Sequence, residues 1–393
     1  MPPRLAIVLS HPIQYYSPWF RWMAAHEANL QLRVFYLWKA GVKAALDPQF
    51  NHTFAWDVDL LSGYDHEFVA NIARRPGSDH FGGLINPSLP ARLAEWRPDA
   101  VLLFGYNYAT HLGLILWARL CGLPLVFRGD SHLLGNKPVS KKKRLLLSLI
   151  YRQFTAFACV GTANRDYFRT FGVPDQKLFF VPHCVDADRF SSTIANRTDA
   201  ARLRTSLGLD GFRVILFAGK LVPAKQPLAL LKAFLDLAPV NTALVFVGDG
   251  SERASLQTLA DAHPGQCVRI LPFANQSEMP SRYLLADLFV LPSRGHYETW
   301  GLAVNEAMHL GVPCLVSNVV GCQRDLVTDG DTGWVFDPSK PDALRITLQR
   351  ALHDLDTQAD AFRVRVTDRI AGYTYEAASA GLSRAVASLF QTP

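Results

Sequence analysis

The sequence predicts an α/β protein built as two doubly wound parallel-sheet domains that face each other across a cleft. Three observations carry this expectation. Apolar runs of four to seven residues alternate with helical periodicities, the runs are apolar on both faces, and they form two series divided by one polar stretch. Strands apolar on both faces must be covered by helices on both sides, which is the arrangement of parallel sheets. A chain of 393 residues also exceeds what one compact core holds and suits two.

Taken in order, the first strands are LAIVLS (5–10), QLRVFYL (31–37), AVLLF (100–104), LPLVF (123–127), FACV (157–160) and LFFVP (178–182). The opening MPPRLAIVLSHPIQYY has an apolar run too short for a secretory leader and is expected to be a first strand. Residues 100–118 carry no formal charge and invite a reading as a membrane span. Gly105-Tyr106-Asn107 interrupts them, and Asn107, Thr110 and His111 would be costly in lipid, so a buried strand followed by a core helix is expected. The second series is RVILFAG (213–219), ALVFVG (243–248), VRIL (268–271), LFVLPS (288–293) and PCLVS (313–317). The polar residues 186–211 between the series read as the interdomain connection, giving domains over 1–190 and 208–372.

The net charge of +6 suits an anionic ligand or an acidic membrane surface. No nucleic-acid-binding signature is present, so no nucleic-acid partner is expected. The six cysteines have no C-x-x-C or metal-like spacing and read as reduced thiols of a cytoplasmic protein.

In doubly wound sheets ligands gather at the carboxyl ends of the strands. After residues 213–219, Gly219 leads into Lys220 and Lys225, two ammonium groups near a helix start that suit a diphosphate. After 243–248, Gly248-Asp249-Gly250 matches two-thirds of a dinucleotide fingerprint, but Arg253 holds the third glycine position. The first strand is followed by SHPIQYYS, so a nicotinamide cofactor is not predicted. The loop 272–276 offers Phe273, Asn275 and Gln276 for contact with a base, and Ser277 reads as a helix cap.

The stretch PSRGHYETWGLAVNEAMHLGVP, residues 292–313, raises the sharpest question. A helix is expected from near Gly301 to about Leu310, ended by Gly311 and Pro313, with Glu298 before it and Glu306 on its second turn. Eight residues at helical rise span about 12 Å. Glycoside hydrolysis needs carboxylates roughly 5 Å apart for retention and below roughly 10 Å for inversion. Acids placed more widely suit two sets of sugar hydroxyls instead. Between them, the backbone N–H groups of Thr299, Trp300, Gly301 and Leu302 make a helix N-terminus able to hold phosphate or sugar oxygens. The plain alternative is a solvated loop acid at Glu298 and a paired helix residue at Glu306.

Residues 213–340 resemble the C-terminal domain of the family-4 retaining glycosyltransferases, which have the GT-B fold and a Glu-x7-Glu hallmark. ETWGLAVNEAM is similar to that hallmark, and FAGKLVPAKQP, FVGDGSER, FANQSEMPSRYLLADLFVLPS and VGCQRDLVTDGDTGWVF resemble its flanking segments in order. VGTANRDYFRTFGVPDQKLFFVPHCVDADRF resembles the segment closing the first domain. The resemblance implies two Rossmann-like domains and transfer of a sugar, with retention, from a nucleotide diphosphate sugar to a glycan, lipid-linked or small-molecule acceptor. In that case Glu306 would bind the ribose, Glu298 would face the transferred sugar, and Lys220 and Lys225 would neutralise the diphosphate. No metal and no cofactor besides the co-substrate would be needed. The last helix, about 374–391, would cross back onto the first domain.

The departures from the family pattern are Lys220 for the usual Arg, Thr299-Trp300 for Gly-Phe, and His183-Cys184 for Asn-Gly. On the acceptor side, PLVFRGDSHLL stands where the family often carries a His. Alignment of strand ends favours Asp130 there and chemistry favours His132, so both are catalytic candidates. His11, Gln14 and Asn107 are expected to line the same side. Residues 137–154 run from a basic start into an amphipathic stretch, suited to peripheral contact with anionic lipid or to an ordinary surface helix. The rival readings are a nucleotide-sugar epimerase or phosphorylase of this architecture, and a non-catalytic nucleotide-sugar-binding partner.

Overall fold

Every apolar run expected as a strand forms one. The computed structural model describes residues 2–40, 55–135, 138–295 and 297–390, and the backbone of strands at 45–47 and 52–54. The first half holds β1 (Arg4–Leu9), β2 (Gln31–Tyr36), β3 (Ala45–Asp47), β4 (His52–Phe54), β5 (His66–Phe68), β6 (Ala100–Phe104), β7 (Leu125–Arg128), β8 (Ala156–Cys159) and β9 (Leu178–Phe180). The second half holds β10 (Arg213–Ala218), β11 (Thr242–Val247), β12 (Cys267–Leu271), β13 (Leu288–Leu291), β14 (Cys314–Ser317) and β15 (Gly333–Phe336).

Seven strands form one sheet in the order β5-β2-β1-β6-β7-β8-β9, and six form a second in the order β12-β11-β10-β13-β14-β15. The pairings within each of these sheets are parallel, while β3 and β4 form a separate antiparallel pair. Strand order reverses between β1 and β6 in one sheet and between β10 and β13 in the other. Those are the switch points at which ligands bind in such folds.

Helices α1 (Ser17–His26), α2 (Leu89–Trp96), α3 (Ala109–Cys121), α4 (Lys141–Tyr151) and α5 (Thr162–Thr170) belong to the first half. The connecting α6 (Ile194–Ser206) leads to α7 (Pro227–Leu237), α8 (Arg253–Asp261), α9 (Met279–Tyr283), α10 (Leu302–His309), α11 (Gln323–Leu326), α12 (Ala343–Ile370) and α13 (Tyr375–Ser388). Side chains alternate across each strand, so each sheet has a core on either face. Ala6, Val8, Val101 and Leu103 meet Leu93, Leu114 and Tyr151 from α2, α3 and α4. Leu5, Ile7 and Leu102 meet Trp19 and Phe20 of α1 together with Leu382 of α13. The C-terminal helix therefore completes the first domain's core. Trp19 Nε1 donates to Ser379 Oγ at 3.0 Å, and α13 is capped by Thr374, which accepts from the Ala377 N–H.

Strands β3, β4, β5 and β15 and helix α6 were not among the expected elements, and two of these differences have local causes. The polar connection 186–211 contains α6, capped by Thr193 accepting from the Asn196 N–H at 3.1 Å. Ala200 is its one buried residue, so it carries no apolar stripe that sequence periodicity could register. Strand β15 follows the turn-rich DGDT and packs so tightly that a Cβ on Gly333 would stand 2.0 Å from the Cys314 carbonyl oxygen. Residues 100–118 divide into β6 and α3, and no helix among the described residues is long and apolar enough to cross a membrane.

Candidate active site

The two sheets turn their carboxyl ends toward one cleft of about 540 Å³. On the C-terminal wall, the chain leaving β10 must double back at once. Gly219, at φ +141°, begins that turn, and a short 3₁₀ turn, Pro223–Lys225, delivers Lys225 just before Pro227 opens α7. The neighbouring loop presses against it: a Cβ on Gly248 would lie 2.0 Å from the Gly219 carbonyl oxygen.

Lys225 Nζ reaches Glu298 Oε2 at 2.8 Å, with both side chains about 15% exposed or less, and Ser293 Oγ donates to the same oxygen at 3.3 Å. Glu306, 3% exposed, accepts from Tyr283 OH at 2.7 Å and from Tyr15 OH at 3.0 Å. Burial pushes its carboxyl up to about 7, against the hydrogen bonds of Tyr283, Tyr15 and Gln276, which lower it. Gly301, at φ +99°, starts α10 without a side-chain cap; the Val304 N–H bonds the Gly301 carbonyl at 2.8 Å, and Leu302 and Ala303 of the first turn line the cleft.

On the opposite wall stand Gln14, Tyr15, Tyr16, Asp130 and His183. Asp130 accepts from Thr299 Oγ1 at 2.8 Å, and His183 Nε2 lies 3.7 Å from its carboxylate. Burial alone would raise the Asp130 carboxyl, but the imidazole and the Thr299 hydroxyl outweigh it and hold the group down at about 2. Burial lowers His183, so near pH 7 it offers an N–H rather than a charge.

Gly219, Lys220, Lys225, Phe273, Glu298, Thr299, Trp300, Gly301, Leu302 and Glu306 all line the cleft, as do Gln14 and Asp130. Three expectations need correcting. Asn275 does not reach the cleft to read a base: its Nδ2 donates to the Ala55 carbonyl at 2.7 Å and its Oδ1 accepts from the Asp57 N–H. Gln276 takes the place in the cleft wall instead. His132 turns away, with Nε2 3.1 Å from the Glu298 carbonyl and Nδ1 accepting from the Leu134 N–H. His11 lies off the cleft wall against Ser10 and Trp38. Asn107 opens onto a second, smaller cavity.

Trp300 lines the cleft and also joins the two halves. Its indole N–H donates to Asn305, whose amide donates to the His183 carbonyl, and the ring fits against Gly161, where a Cβ would stand 2.4 Å from it. Ser277 hydrogen-bonds Asp57 through both its hydroxyl and its N–H, and Thr162 bonds Asp325 in the same double fashion. Sequence reasoning gave no role to Tyr15, Tyr283 or Trp56. Tyr15 adjoins Gln14 in SHPIQYYS, but nothing in one sequence couples it to an acid 291 residues away.

A nucleotide-sized cleft between two facing Rossmann-like sheets, with lysines and two glutamates on one wall, defines the GT-B class of glycosyltransferase architecture. Residues 51–189 match the sequence model of Glycosyltransferase Family 4, and residues 199–363 that of Glycosyl transferases group 1. The D-inositol 3-phosphate glycosyltransferase of Salinispora arenicola is 32% identical over 340 residues, covering 77% of this chain and 73% of that protein. The chain belongs to glycosyltransferase family 4. Among other relatives, the sulfoquinovosyl transferase SQD2 of Arabidopsis thaliana is 24% identical, covering 70% of this chain and 54% of its own length. A UDP-Gal:α-D-GlcNAc-diphosphoundecaprenol α-1,3-galactosyltransferase of Escherichia coli is 28% identical, with 67% and 66% covered. The chain thus spans just over half to two thirds of these two relatives' length. HepE of Anabaena, solved with UDP and glucose, superposes with a TM-score of 0.71 over 98% of this chain and all of that one, at 17% identity, and so shares the fold.

Proposed function

We propose that this protein is a retaining glycosyltransferase that moves a sugar from a nucleotide diphosphate sugar to an acceptor hydroxyl. The observation that carries the reading is the Lys225–Glu298 ion pair set beside Glu306 in one cleft. A diphosphate entering the cleft would take Glu298's place as the partner of Lys225, and a ribose diol would take Tyr15's place on Glu306. The bond from sugar C1 to the diphosphate oxygen then breaks, and its electron pair stays on that oxygen, neutralised by Lys225 and Lys220. The acceptor oxygen bonds C1 from the same face, and its proton passes to the departing phosphate oxygen. Because lysines and the α10 N-terminus hold the charge, no metal is required.

The acceptor side favours a lipid-linked molecule at a membrane surface. Helix α4 begins Lys141-Lys142-Lys143-Arg144, yet Leu145, Leu146 and Leu149 on it are 64%, 57% and 48% exposed. Leu116 and Leu120 of α3, also exposed, belong to the neighbouring helix on the same face of the sheet. Basic residues beside exposed leucines fit an anionic bilayer better than water. Co-sedimentation with vesicles rich in anionic lipid, lost in a Leu145→Ser/Leu149→Ser variant, checks this.

The reaction itself is tested by incubating donor and an acceptor panel with a metal chelator present and reading the anomeric configuration of the product by NMR. Transfer with retention is expected. Epimerised donor without transfer, phosphate-dependent cleavage, or an inverted product would contradict the reading.

A further inference from the structure

A second acid faces the cleft beside the ion pair that carries the transferase reading. Glu298 pairs with Lys225 at 2.8 Å, and the next residue, Thr299, donates through its hydroxyl to Asp130 at 2.8 Å. Lys225, Glu298, Thr299 and Asp130 are thus linked in series across the cleft. Glu306 belongs to a separate cluster with Tyr15, Tyr283 and Gln276. The transferase reading gives that cluster to the ribose and Lys225 to the diphosphate. The transferred sugar is then left the space bounded by Glu298, Thr299 and Asp130.

The charge around that space is one-sided. Among the described residues, Lys220 and Lys225 are the two lysine or arginine side chains lining the cleft, and the reading commits both to the diphosphate. Arg128, two residues before Asp130, is buried with its guanidinium over Trp19 and its Nη1 on the Val181 carbonyl, so it lies off the cleft wall. Burial keeps the His183 imidazole neutral. Asp130 stays ionised near neutral pH because its contacts with His183 and Thr299 outweigh its burial. When a diphosphate draws Lys225 away, Glu298 loses its cation. Two carboxylates then border the sugar, with no further positive side chain among the described residues of the cleft to balance them.

The neutral side-chain donors nearby are already engaged. The Thr299 hydroxyl points at Asp130, His183 Nε2 stands 3.7 Å from the same carboxylate, and the Trp300 indole N–H donates to Asn305. The Asp130 side chain remains 40% exposed, so its carboxylate keeps acceptor capacity toward the cleft. A carboxylate only accepts hydrogen bonds, and a sugar hydroxyl can donate to it. A carboxylate or sulfonate on the sugar would instead bring a third negative charge and meet no side-chain donor left to hold it. Like charges brought together away from bulk water strongly suppress the wrong partner.

We propose, resting on the transferase reading above, that Asp130 sets the charge class of the donor sugar. It accepts a hydroxyl of a sugar that carries no negative charge, and it excludes sugars that bear a carboxylate or sulfonate. The test is calorimetric titration of the full chain with donor pairs that differ only in oxidation at C6. UDP-, ADP- and dTDP-glucose, UDP-galactose and GDP-mannose are each compared with the matching uronate, and the free nucleoside diphosphates are titrated separately. At least one neutral donor is expected to bind the wild type tenfold or more tightly than its uronate. Asp130→Asn, which keeps the shape and removes the charge, should narrow that ratio at least fivefold and leave affinity for the free nucleoside diphosphate within threefold. Should the variant fail to fold, the wild-type ratio decides alone. A wild-type ratio below tenfold, neutral donors refused while the free nucleotide binds, or a ratio that the folded variant leaves within twofold overturns the role of Asp130 while the donor reading stands. Binding of no nucleoside diphosphate and no nucleotide sugar overturns the donor reading instead.

Discussion

The two walls of the cleft were assembled by different rules. On the C-terminal wall Lys220, Lys225 and Glu298 lie two to seven residues beyond the end of a strand and Glu306 stands on the helix that follows, so these side chains are placed by β10, β13 and α10. On the N-terminal wall Tyr15, Asp130 and His183 come from loops far apart in the chain, and all three are tied to partners on the other half: Tyr15 to Glu306, Asp130 to Thr299 and His183, through its carbonyl, to Asn305. Local chain geometry builds the wall that would hold the common part of the donor. Long-range contacts build the wall that would face a particular acceptor, and they hold groups that a donor would take.

This comparison can be broken or sharpened. The largest effect is expected from Lys225→Ala, which should lower turnover by ~10²–10³-fold, the usual loss when one charge-stabilising group is removed, with the fold intact by circular dichroism. Wild-type turnover would detach that wall from the chemistry. Glu306→Gln should weaken nucleotide affinity by about ten- to a hundredfold, since a hydrogen bond to a charged group is worth about 1.5–3 kcal/mol.

The same variant carries a pH signature. The folded Glu306 carboxyl is raised from 4.5 to about 7, so between those values the native state keeps a proton that the unfolded chain has lost. Its contribution to stability is full below the lower value and declines as pH rises through the window. Melting temperature should therefore fall more steeply from pH 5 to pH 8 in wild type than in Glu306→Gln. Parallel profiles would refute the burial of this charge.

Smaller effects probe the other wall. Tyr15→Phe removes a bond the ribose must displace, so donor affinity should stay equal or tighten by about fivefold or less. A tenfold loss would make Tyr15 a donor contact. Asn275→Ala is expected to change least, with donor affinity within about threefold and the ranking of UDP, GDP, ADP and dTDP unaltered, because Asn275 joins the two halves. A changed ranking would return it to the base.

How much of this was legible follows the same division. Both sheets were readable because their strands are apolar on both faces, and the glutamate pair was readable because α10 starts at a glycine and ends at Gly311 before Pro313. Choosing between Asp130 and His132 was beyond spacing. They are two residues apart on an irregular loop, and only the contacts with Thr299 and the Glu298 carbonyl decide which side chain faces the cleft. Asn275 and Gln276 were confounded for the same reason. Adjacent loop residues point in different directions, and a partner from residues 55–57 settles the matter.

The central claim is that Lys225 exchanges the Glu298 carboxylate for a donor's diphosphate. Calorimetric titration of wild type and Lys225→Ala with UDP, GDP, ADP and dTDP tests it most directly. The account expects one of these to bind the wild type and to bind the variant at least tenfold more weakly. No heat with any of them, or equal affinity in both proteins, would contradict it.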